Sequence, residues 1–324
     1  MQQTTLDRID LKIINLLSGD CRVPYRNIAS TVGITPNAVK TRVNKLISQG
    51  IIQRFVVRVN PVIFGYKKEC ILTMRQINKK IKENDILNRL SLLGNVSVHA
   101  KQLGGAFIFL LEVKTDAEEK VRFLIDLLKP AVVETRFVDH KPVSMNVNIS
   151  DLKIIKCLLS NARMEIAYIA REASISTKTV TRRIEKMQQN HILEFTVLRD
   201  MSSMQLVGYI EFAVVIKVDR SLYRYILERI YRELQEYLMF VANISQSNVI
   251  FAVFFCANIP TVDSILKQIA SYDGVEDDEV FITTKLTYYQ EWLKREIDKR
   301  LRSETVATTK TRKNDSIYGG RPIA

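Results

Sequence analysis

The sequence predicts an α+β protein in which one arrangement of helices and strands occurs twice in the same chain. A shift of 141 positions, without a gap, places the DLKII at 10–14 on the DLKII at 151–155 and Ile28-Ala29 on Ile169-Ala170. Each copy begins with apolar residues at the helical period and continues with apolar runs typical of strands. Because a repeat of this length exceeds a solenoid unit, each copy is expected to form a domain or a pair of small domains.

The start of the first copy predicts three helices and a strand. A helix over 6–17 carries two aspartates in its first turn, where acidic side chains are favourable. A short helix over 24–31 and a tight turn at Val32-Gly33-Ile34 lead to a third helix, and the alternating run 52–59 follows as a wing strand. This order predicts a winged helix-turn-helix.

The third helix has well-defined ends and two distinct faces. Thr35 is a suitable N-cap, Pro36 suits the first helical position, and Gly50 ends the helix. Apolar residues at i, i+4, i+7 and i+8 from Val39 form one stripe. The opposite face carries short or basic polar side chains and no acid: Asn37, Lys40, Thr41, Asn44 and Ser48. Such a face predicts a helix that lies in a DNA major groove.

The second copy repeats this helix over 176–190, with Ser176 as its N-cap and the same inward apolar frame. Ser174 and His191 stand where the first copy has glycine, which weakens the signals for the turn and the helix end. The outward face differs from that of the first copy: Lys178, Thr181, Arg182 and Glu185.

On DNA, phosphate contacts supply most of the affinity, whereas side chains at the start of each third helix select the sequence. The residues predicted to read base edges are Asn37, Lys40, Thr41 and Asn44 in the first copy and Lys178, Thr181 and Arg182 in the second. The predicted phosphate contacts are Arg22, Arg26, Arg54, Arg163 and Arg171. Glu185 either accepts a hydrogen bond from cytosine or restrains Arg182.

Residues at fixed spacing run through the first module: the Leu6-Asp7-x-x-Asp10 opening, Asp20 before Arg22, Ile28-Ala29, Val32-Gly33-Ile34, Val39, Arg42, Val43, Leu46 and Gly50-Ile51-Ile52. With this spacing, the stretch 6–52 resembles the N-terminal module of the Lrp/AsnC family of transcription regulators, the leucine-responsive or feast/famine group. The stretch 151–193 is similar to the same module, with fewer of its residues.

Between and after these modules the pattern predicts strands and helices in the order βαββαβ, which is typical of a ferredoxin-like sandwich. The predicted elements are 70–75, 85–93, 96–103, 107–113, 116–128 and 132–138 in the first copy, and 208–218, 221–236, 240–245, 249–256, 260–272 and 275–284 in the second. The resemblance implies that this fold is the effector-binding and dimerisation domain, and it extends over roughly residues 6–285.

The predicted organisation is therefore two winged helix-turn-helix modules that alternate with two ferredoxin-like domains. Its segments are 1–60, 61–147, 148–200, 201–302 and a basic, disordered tail over 303–324. An amphipathic helix over 288–302 is expected to pack on the adjacent sheet.

The resemblance implies pairing of two chains through their ferredoxin-like sheets, so here we expect an intramolecular pseudo-dimer with the two sheets back to back. The run 249–255 lacks polar alternation, as expected for a strand covered on both faces. Two unlike helices on one chain predict two unlike half-sites about one helical turn apart.

Composition limits the partners. The net charge is +13. Both helix-turn-helix segments are basic, with nine basic and three acidic residues in 6–60 and nine basic and six acidic residues in 148–200. The segment 201–302 is slightly acidic, with twelve basic and fourteen acidic residues. This distribution favours double-stranded DNA as the partner. No apolar run approaches the roughly 20 residues of a membrane span, so a cytoplasmic protein without a membrane partner is expected. The four cysteines lack the spacing of a zinc site, and no cofactor is predicted.

Effector binding and catalysis are the remaining questions. The resemblance implies a ligand pocket near the hairpin between the second and third strands, where a glycine is followed by an acid. Gly104 and Gly105 are the candidate effector-binding residues, but no acid follows them, and the second copy has Ser245-Gln246-Ser247-Asn248 there. An amino-acid effector is therefore not supported, another small molecule stays open, and a turn with positive φ explains the glycines equally well.

No enzyme activity is predicted, although one alternative is a siroheme-decarboxylase-like role in haem biosynthesis. Some Lrp-like proteins with two fused copies resemble these enzymes, which would hold propionates with a cluster of His and Arg. Here His99 and Lys101 are in the equivalent strand, and Asn243 and Ser245 in the second copy. A second alternative is a chromatin-like DNA binder of low specificity, and further homo-oligomerisation stays open.

Overall fold

The computed structural model describes residues 6–75, 82–114, 119, 121, 132–242 and 248–303. Most of the helix predicted over 116–128, and the tail that follows Ser303, lie outside these residues. Within them, no helix has the length and apolar character needed to cross a membrane.

The helices are α1 (Arg8–Gly19), α2 (Tyr25–Val32), α3 (Pro36–Ser48), α4 (Glu83–Leu90), α5 (Ile149–Ser160), α6 (Ile166–Ala173), α7 (Thr177–Gln189), α8 (Met201–Leu206), α9 (Tyr223–Glu233), α10 (Ile259–Ala270) and α11 (291–303). The strands are β1 (Ile52–Val59), β2 (Lys68–Arg75), β3 (Asn95–Gln102), β4 (Phe107–Val113), β5 (Val132–Asp139), β6 (Leu193–Arg199), β7 (Ile210–Val218), β8 (Leu238–Ala242), β9 (Val249–Cys256) and β10 (Val275–Tyr288). The α+β fold class is confirmed, and within the described residues the elements follow the predicted order.

The same local signals begin the helices of both copies. In α1 the Asp7 side chain accepts a hydrogen bond from the Asp10 N–H, and the Asp10 carboxylate accepts one from the Asp7 N–H. Asn148 and Asp151 form the same capping box on α5. These reciprocal bonds satisfy backbone donors that a helix N-terminus otherwise leaves unpaired, so each module starts at a defined residue.

The turns also keep one backbone conformation in both copies. Gly33 and Gly50 have φ of 74°. At the equivalent positions Ser174 has φ of 58° and His191 has φ of 55°. The second copy thus adopts the left-handed conformation at both positions without glycine, which carries a steric cost.

The strand after each third helix does not fold back into a wing hairpin within its own module. Instead β1 pairs with β6 of the other copy, with Val56 opposite Thr196 and Val57 opposite Phe195. A lone strand exposes unpaired backbone groups, and the internal two-fold relation brings the two lone strands together. We name this pair the ribbon. The strand predicted as the wing is present over Ile52–Val59, and it pairs with its equivalent in the other copy. The residues of the ribbon share one hydrophobic core with both helix-turn-helix modules.

The remaining strands form one continuous sheet, ordered β5-β2-β4-β3-β10-β7-β9-β8. Each half has the strand order of a ferredoxin-like fold, and β3 of the first copy pairs with β10 of the second. The sheets were expected back to back. They do pack through apolar residues of both halves, including Ile71, Ile108 and Phe251, but they also share a hydrogen-bonded edge.

Strand β9 is covered on both faces, as predicted. Ile250, Ala252 and Phe254 lie in the core beneath α9 and α10. Phe251 and Val253 lie between the two halves of the sheet.

The C-terminal helix α11 does not pack on the ferredoxin-like sheet, contrary to expectation. Trp292 and Ile297 belong to the core of the helix-turn-helix modules, and the Trp292 ring contacts Tyr66 edge-on at 5.5 Å. Before the helix, the Gln290 side chain donates to the Val57 carbonyl of the ribbon. The apolar stripe of α11 predicted that one face is buried, but not which surface buries it.

Candidate nucleic-acid interface

The predicted base-reading residues of the first copy share one exposed face of α3: Asn37, Lys40, Thr41 and Asn44. The opposite face is buried, with Val39 and Val43 fully inside the core. Pro36 at the first position and the Thr35 hydroxyl, which accepts from the Ala38 N–H, begin the helix.

On α7 the predicted readers Lys178, Thr181 and Arg182 are also exposed, beside the exposed Glu185. The Thr181 hydroxyl donates to the Thr177 carbonyl of its own helix. The two helices therefore bury apolar residues at equivalent positions and present different polar groups to solvent.

An arginine on each third helix binds the capping box of the first helix. Arg42 Nη1 lies 2.7 Å from Asp7 Oδ2 and 2.8 Å from Asp10 Oδ1. Arg183 Nη1 lies 2.8 Å from Asp151 Oδ1, and the Asp151 side chain has no exposed surface. Hydrogen bonds to Asp10 and Asp7 raise the pKa of Arg42. These arginines fix the orientation of α3 and α7 on their modules.

This role was missed in the sequence, although a signal for it exists. The arginine and the aspartate are separated by 32 residues in both copies. An acid and a base kept at one spacing in an internal repeat indicate an ion pair.

Arg22 lies at the junction of the two copies. Its Nη1 donates to the carbonyls of Ala162 at 2.6 Å and Met164 at 3.1 Å, and its guanidinium lies over the Phe195 ring. These bonds occupy Nη1 and give Arg22 a structural role at the junction, and its contact with DNA phosphate stays a prediction.

Arg163, the equivalent residue of the second copy, is also half-buried at the junction. Its guanidinium carbon lies 4.5 Å from the Tyr25 ring centroid and 5.2 Å from that of Phe55. These contacts give Arg163 a place in the junction, and its contact with DNA phosphate stays a prediction. The equivalence of the two arginines, which the repeat could have revealed, indicates a shared structural role.

The other three phosphate candidates, Arg26, Arg54 and Arg171, are exposed. Arg171 stacks on the Tyr168 ring at 4.7 Å, which limits its freedom without occupying its donors. Their contact with DNA stays a prediction.

The effector candidates Gly104 and Gly105 form the turn between β3 and β4, with φ of 82° and 88°. A Cβ at either position would meet no atom within 4 Å, so the conformation, not a close approach, requires glycine. Effector binding there stays a prediction.

A polar cluster that sequence analysis missed lies where the ribbon meets the sheet. Glu69 on β2 is directly opposite Glu112 on β4, and Glu112 Oε2 lies 2.6 Å from His140 Nε2. Burial and the Glu112 charge raise the pKa of Glu69 to about 7, while Arg58 of the ribbon acts in the other direction. Burial opposes protonation of His140, but its hydrogen bond to Glu112 raises its pKa. Only the strand register brings these groups together.

The fold and the exposed third helices define a helix-turn-helix protein. The family model described as "Winged helix-turn-helix DNA-binding" matches residues 6–53 and 147–194. The chain is 32% identical over 127 residues to the HTH-type transcriptional regulator Ptr1 of Methanocaldococcus jannaschii, covering 39% of this chain and 84% of that protein. It is 30% identical over 125 residues to the HTH-type transcriptional regulator AldR of Mycobacterium tuberculosis, covering 38% of this chain and 69% of that protein. The chain belongs to the Lrp/AsnC family of helix-turn-helix regulators.

Solved structures of the siroheme decarboxylase NirDL match nearly the whole chain. One has a TM-score of 0.52 at 13% identity and covers 93% of this chain and 100% of its own. The complex of NirDL with an iron-uroporphyrin III analogue has a TM-score of 0.50. At this identity the similarity shows the tandem fold alone.

Proposed function

We propose that the chain is a sequence-specific DNA-binding transcription regulator that acts as an intramolecular pseudo-dimer. The single observation that carries this proposal is the pair of exposed third helices, α3 and α7, which have equivalent frames and different outward side chains. Double-stranded DNA is its partner and the cytoplasm its location. The five sequence segments defined above remain our proposed domain division.

The junction between the copies supports joint action of the two helices. The ribbon, the shared core of the modules and the continuous sheet connect the copies along their length. Such a junction holds two reading helices at one separation, as the dimer interface does in other helix-turn-helix proteins.

The chemistry of the two faces supports unlike half-sites. Asn37 and Asn44 offer the bidentate amide that matches adenine, whereas Arg182 matches guanine. Each such pair contributes roughly 1–3 kcal/mol of discrimination. We therefore propose a target with two different half-sites about one helical turn apart.

The test is selection of bound sequences from random duplexes by the full chain at physiological salt. We expect two unlike half-sites. Lys40→Ala should relax the preference in one of them and Arg182→Ala in the other, while Lys12→Ala, an exposed residue of α1, should change neither. A perfect palindrome for each chain would contradict the pseudo-dimer. Equal binding of all duplexes with a steep salt dependence would favour the chromatin-like alternative.

The decarboxylase alternative is kept because the similarity to NirDL extends over nearly the whole chain, although this similarity shows a shared fold and no activity. His99, in the strand that this alternative would use, is 1% exposed, and its ring stacks on Phe109 with the ring centroids 4.6 Å apart. Burial lowers the pKa of His99, and the charges of Lys285 and Lys101 lower it further. Asn243 and Ser245 lie outside the described residues. A change in the absorbance of siroheme on incubation with the protein, with release of carbon dioxide, would support this enzyme over the regulator.

A further inference from the structure

Helix α9 of the second copy has one buried face and one exposed face. Ile226 and Ile230 are fully buried in the core of the second ferredoxin-like domain. The exposed residues of the helix recur three, four and seven positions apart, so they share one side of it. They are Arg224, Tyr225, Glu228, Tyr231 and Arg232, and we name these five residues the α9 face.

The α9 face carries two large aromatic side chains in contact with solvent. Tyr225 is 46% exposed and Tyr231 is 49% exposed. Tyrosine and arginine are enriched where proteins contact one another. The equivalent helix of the first copy, α4, has no aromatic residue, and its exposed side chains are Asn84, Asp85, Asn88 and Arg89 in addition to any contacts they make. Of the two equivalent faces, only that of α9 combines tyrosine with arginine.

A neighbouring arginine holds part of this face in place. The guanidinium carbon of Arg229 lies 4.0 Å from the ring centroid of Tyr272 and 5.9 Å from that of Tyr225. The same guanidinium donates two hydrogen bonds to the Glu233 carboxylate, at 2.9 Å and 3.0 Å. A side chain that is ordered before binding loses less conformational entropy when a partner binds. The surroundings of Tyr225 therefore favour association.

Charges alternate in sign at every fourth position along this face. Arg224 is followed by Glu228, by Arg232 and, in the turn after the helix, by Glu236. Within the described part of the chain, Arg224, Glu228 and Glu236 form no ion pair. Arg232 pairs with Glu233 at 3.0 Å, and its side chain is still 70% exposed. These charges are available to a partner.

The alternation is complementary to a second copy of itself. In an antiparallel pair of α9 helices with the two-fold axis at the level of Ile230, Glu228 of each chain is opposite Arg232 of the other. In the same pair, Arg224 is opposite Glu236. A parallel pair, or an antiparallel pair centred on Glu228, places like charges opposite each other, which is unfavourable. The pattern therefore favours one direction and one register of pairing between identical chains.

We propose that the α9 face joins two copies of this chain in a two-fold symmetric dimer. The adjacent helix α10, whose Gln268 side chain donates to Glu233, extends the surface with the exposed Asp263 and Lys267. A face of about three helical turns is smaller than the roughly 800 Å² that each partner contributes to a standard interface. The dimer is therefore expected to dissociate in the micromolar range.

The position of α9 relates this dimer to DNA reading. Helix α9 packs on the core of the second ferredoxin-like domain, whereas α3 and α7 pack on the core of the helix-turn-helix modules. The dimer thus has two copies of the unlike pair of reading helices, related by a two-fold axis. Its target is an inverted repeat in which each arm contains both half-sites. This consequence rests on the proposed function, whereas the dimer itself does not.

The experiment measures sedimentation velocity of the full chain, without DNA, over a series of protein concentrations. We expect a monomer–dimer equilibrium with a micromolar dissociation constant. Glu228→Arg and Arg232→Glu each place like charges opposite each other and should weaken the dimer at least tenfold. The chain with both substitutions should regain most of the affinity, because opposite charges face each other again. Asp85→Arg, at an exposed acid of the equivalent helix α4, is the matched control and should dimerise as the natural chain does.

Three results would overturn the proposed interface. They are a chain that stays monomeric at its highest soluble concentration, a dimer that Glu228→Arg leaves unchanged, and a double variant that dimerises no better than the single variants. Selection of bound DNA is then repeated above and below the concentration at which the chain dimerises. A chain that dimerises through the α9 face but shows no DNA preference would reject the proposed function and leave the interface standing.

Discussion

Replacing Ser174 and His191 by glycine is expected to stabilise the second copy. Both residues have positive φ, 58° and 55°, at positions where the first copy has glycine. The left-handed conformation costs an L-residue roughly 1–2 kcal/mol, and the greater freedom of glycine in the unfolded chain returns about 0.4–1 kcal/mol of this. The net gain is about 0.5–1 kcal/mol for each substitution, and the two gains should add because the sites end different helices.

The reverse substitutions provide an internal control. Gly33→Ser and Gly50→His impose the same strain on the first copy, and a Cβ at Gly50 would lie 3.2 Å from the Ser203 hydroxyl. We expect Gly33→Ser to lower the free energy of unfolding by the same net amount of about 0.5–1 kcal/mol, and Gly50→His to lower it by more because of this added contact.

The assay is urea unfolding of the full chain followed by Trp292 fluorescence. The chain has one tryptophan, and it packs in the core shared by the two helix-turn-helix modules. If none of the four substitutions, Ser174→Gly, His191→Gly, Gly33→Ser and Gly50→His, changes the urea midpoint of unfolding, the reasoning is refuted.

Two further predictions concern charge. The raised pKa of Glu69, about 7 in the folded chain against an ordinary 4.5, means that folding favours its protonated form, so stability falls as pH rises between these values. After allowance for solvent screening, Glu69→Gln should raise the free energy of unfolding by about 1–2 kcal/mol at pH 8 and by almost nothing at pH 4. Equal gains in stability at the two pH values would exclude the titration of Glu69 as the cause. Arg183→Gln leaves the fully buried Asp151 without its ion-pair partner and should cost about 3 kcal/mol, whereas Arg182→Gln, at the exposed neighbouring position, should change stability by less than about 0.5 kcal/mol. Thermal melts of the two variants would detect the difference, and similar melting temperatures would argue that Arg183 does not position α7.

Local features of the fold could be predicted because their causes lie within a few residues. The start of α3 after Thr35 follows from a side chain that satisfies a backbone donor one turn away. The turn at Gly33 follows from its permitted φ, and the burial of β9 follows from its unbroken apolar run. The repeat itself revealed that these features occur twice.

Pairings between distant segments could not be predicted in the same way. A periodic apolar pattern indicates that one face is buried but not what covers it, so the pairing of β1 with β6 and the packing of α11 on the helix-turn-helix core were missed. The candidate site shows the same division. The outward residues of α3 and α7 follow from helical geometry. The contacts of Arg22 and Arg163 at the junction could not be predicted, because their carbonyl and aromatic partners are more than 100 residues away in the chain.

The sequence by itself therefore determined the tandem order of the elements, the ends of the helices and the side chains that the third helices present to solvent, because hydrogen bonds and sterics over short distances decide these. Only the tertiary structure decided how the two copies join, why equivalent residues such as Arg54 and Phe195 differ in burial, and that Glu69 faces Glu112. These features depend on register and packing between segments far apart in the chain, and the hydrophobic effect that drives such packing has no direction of its own.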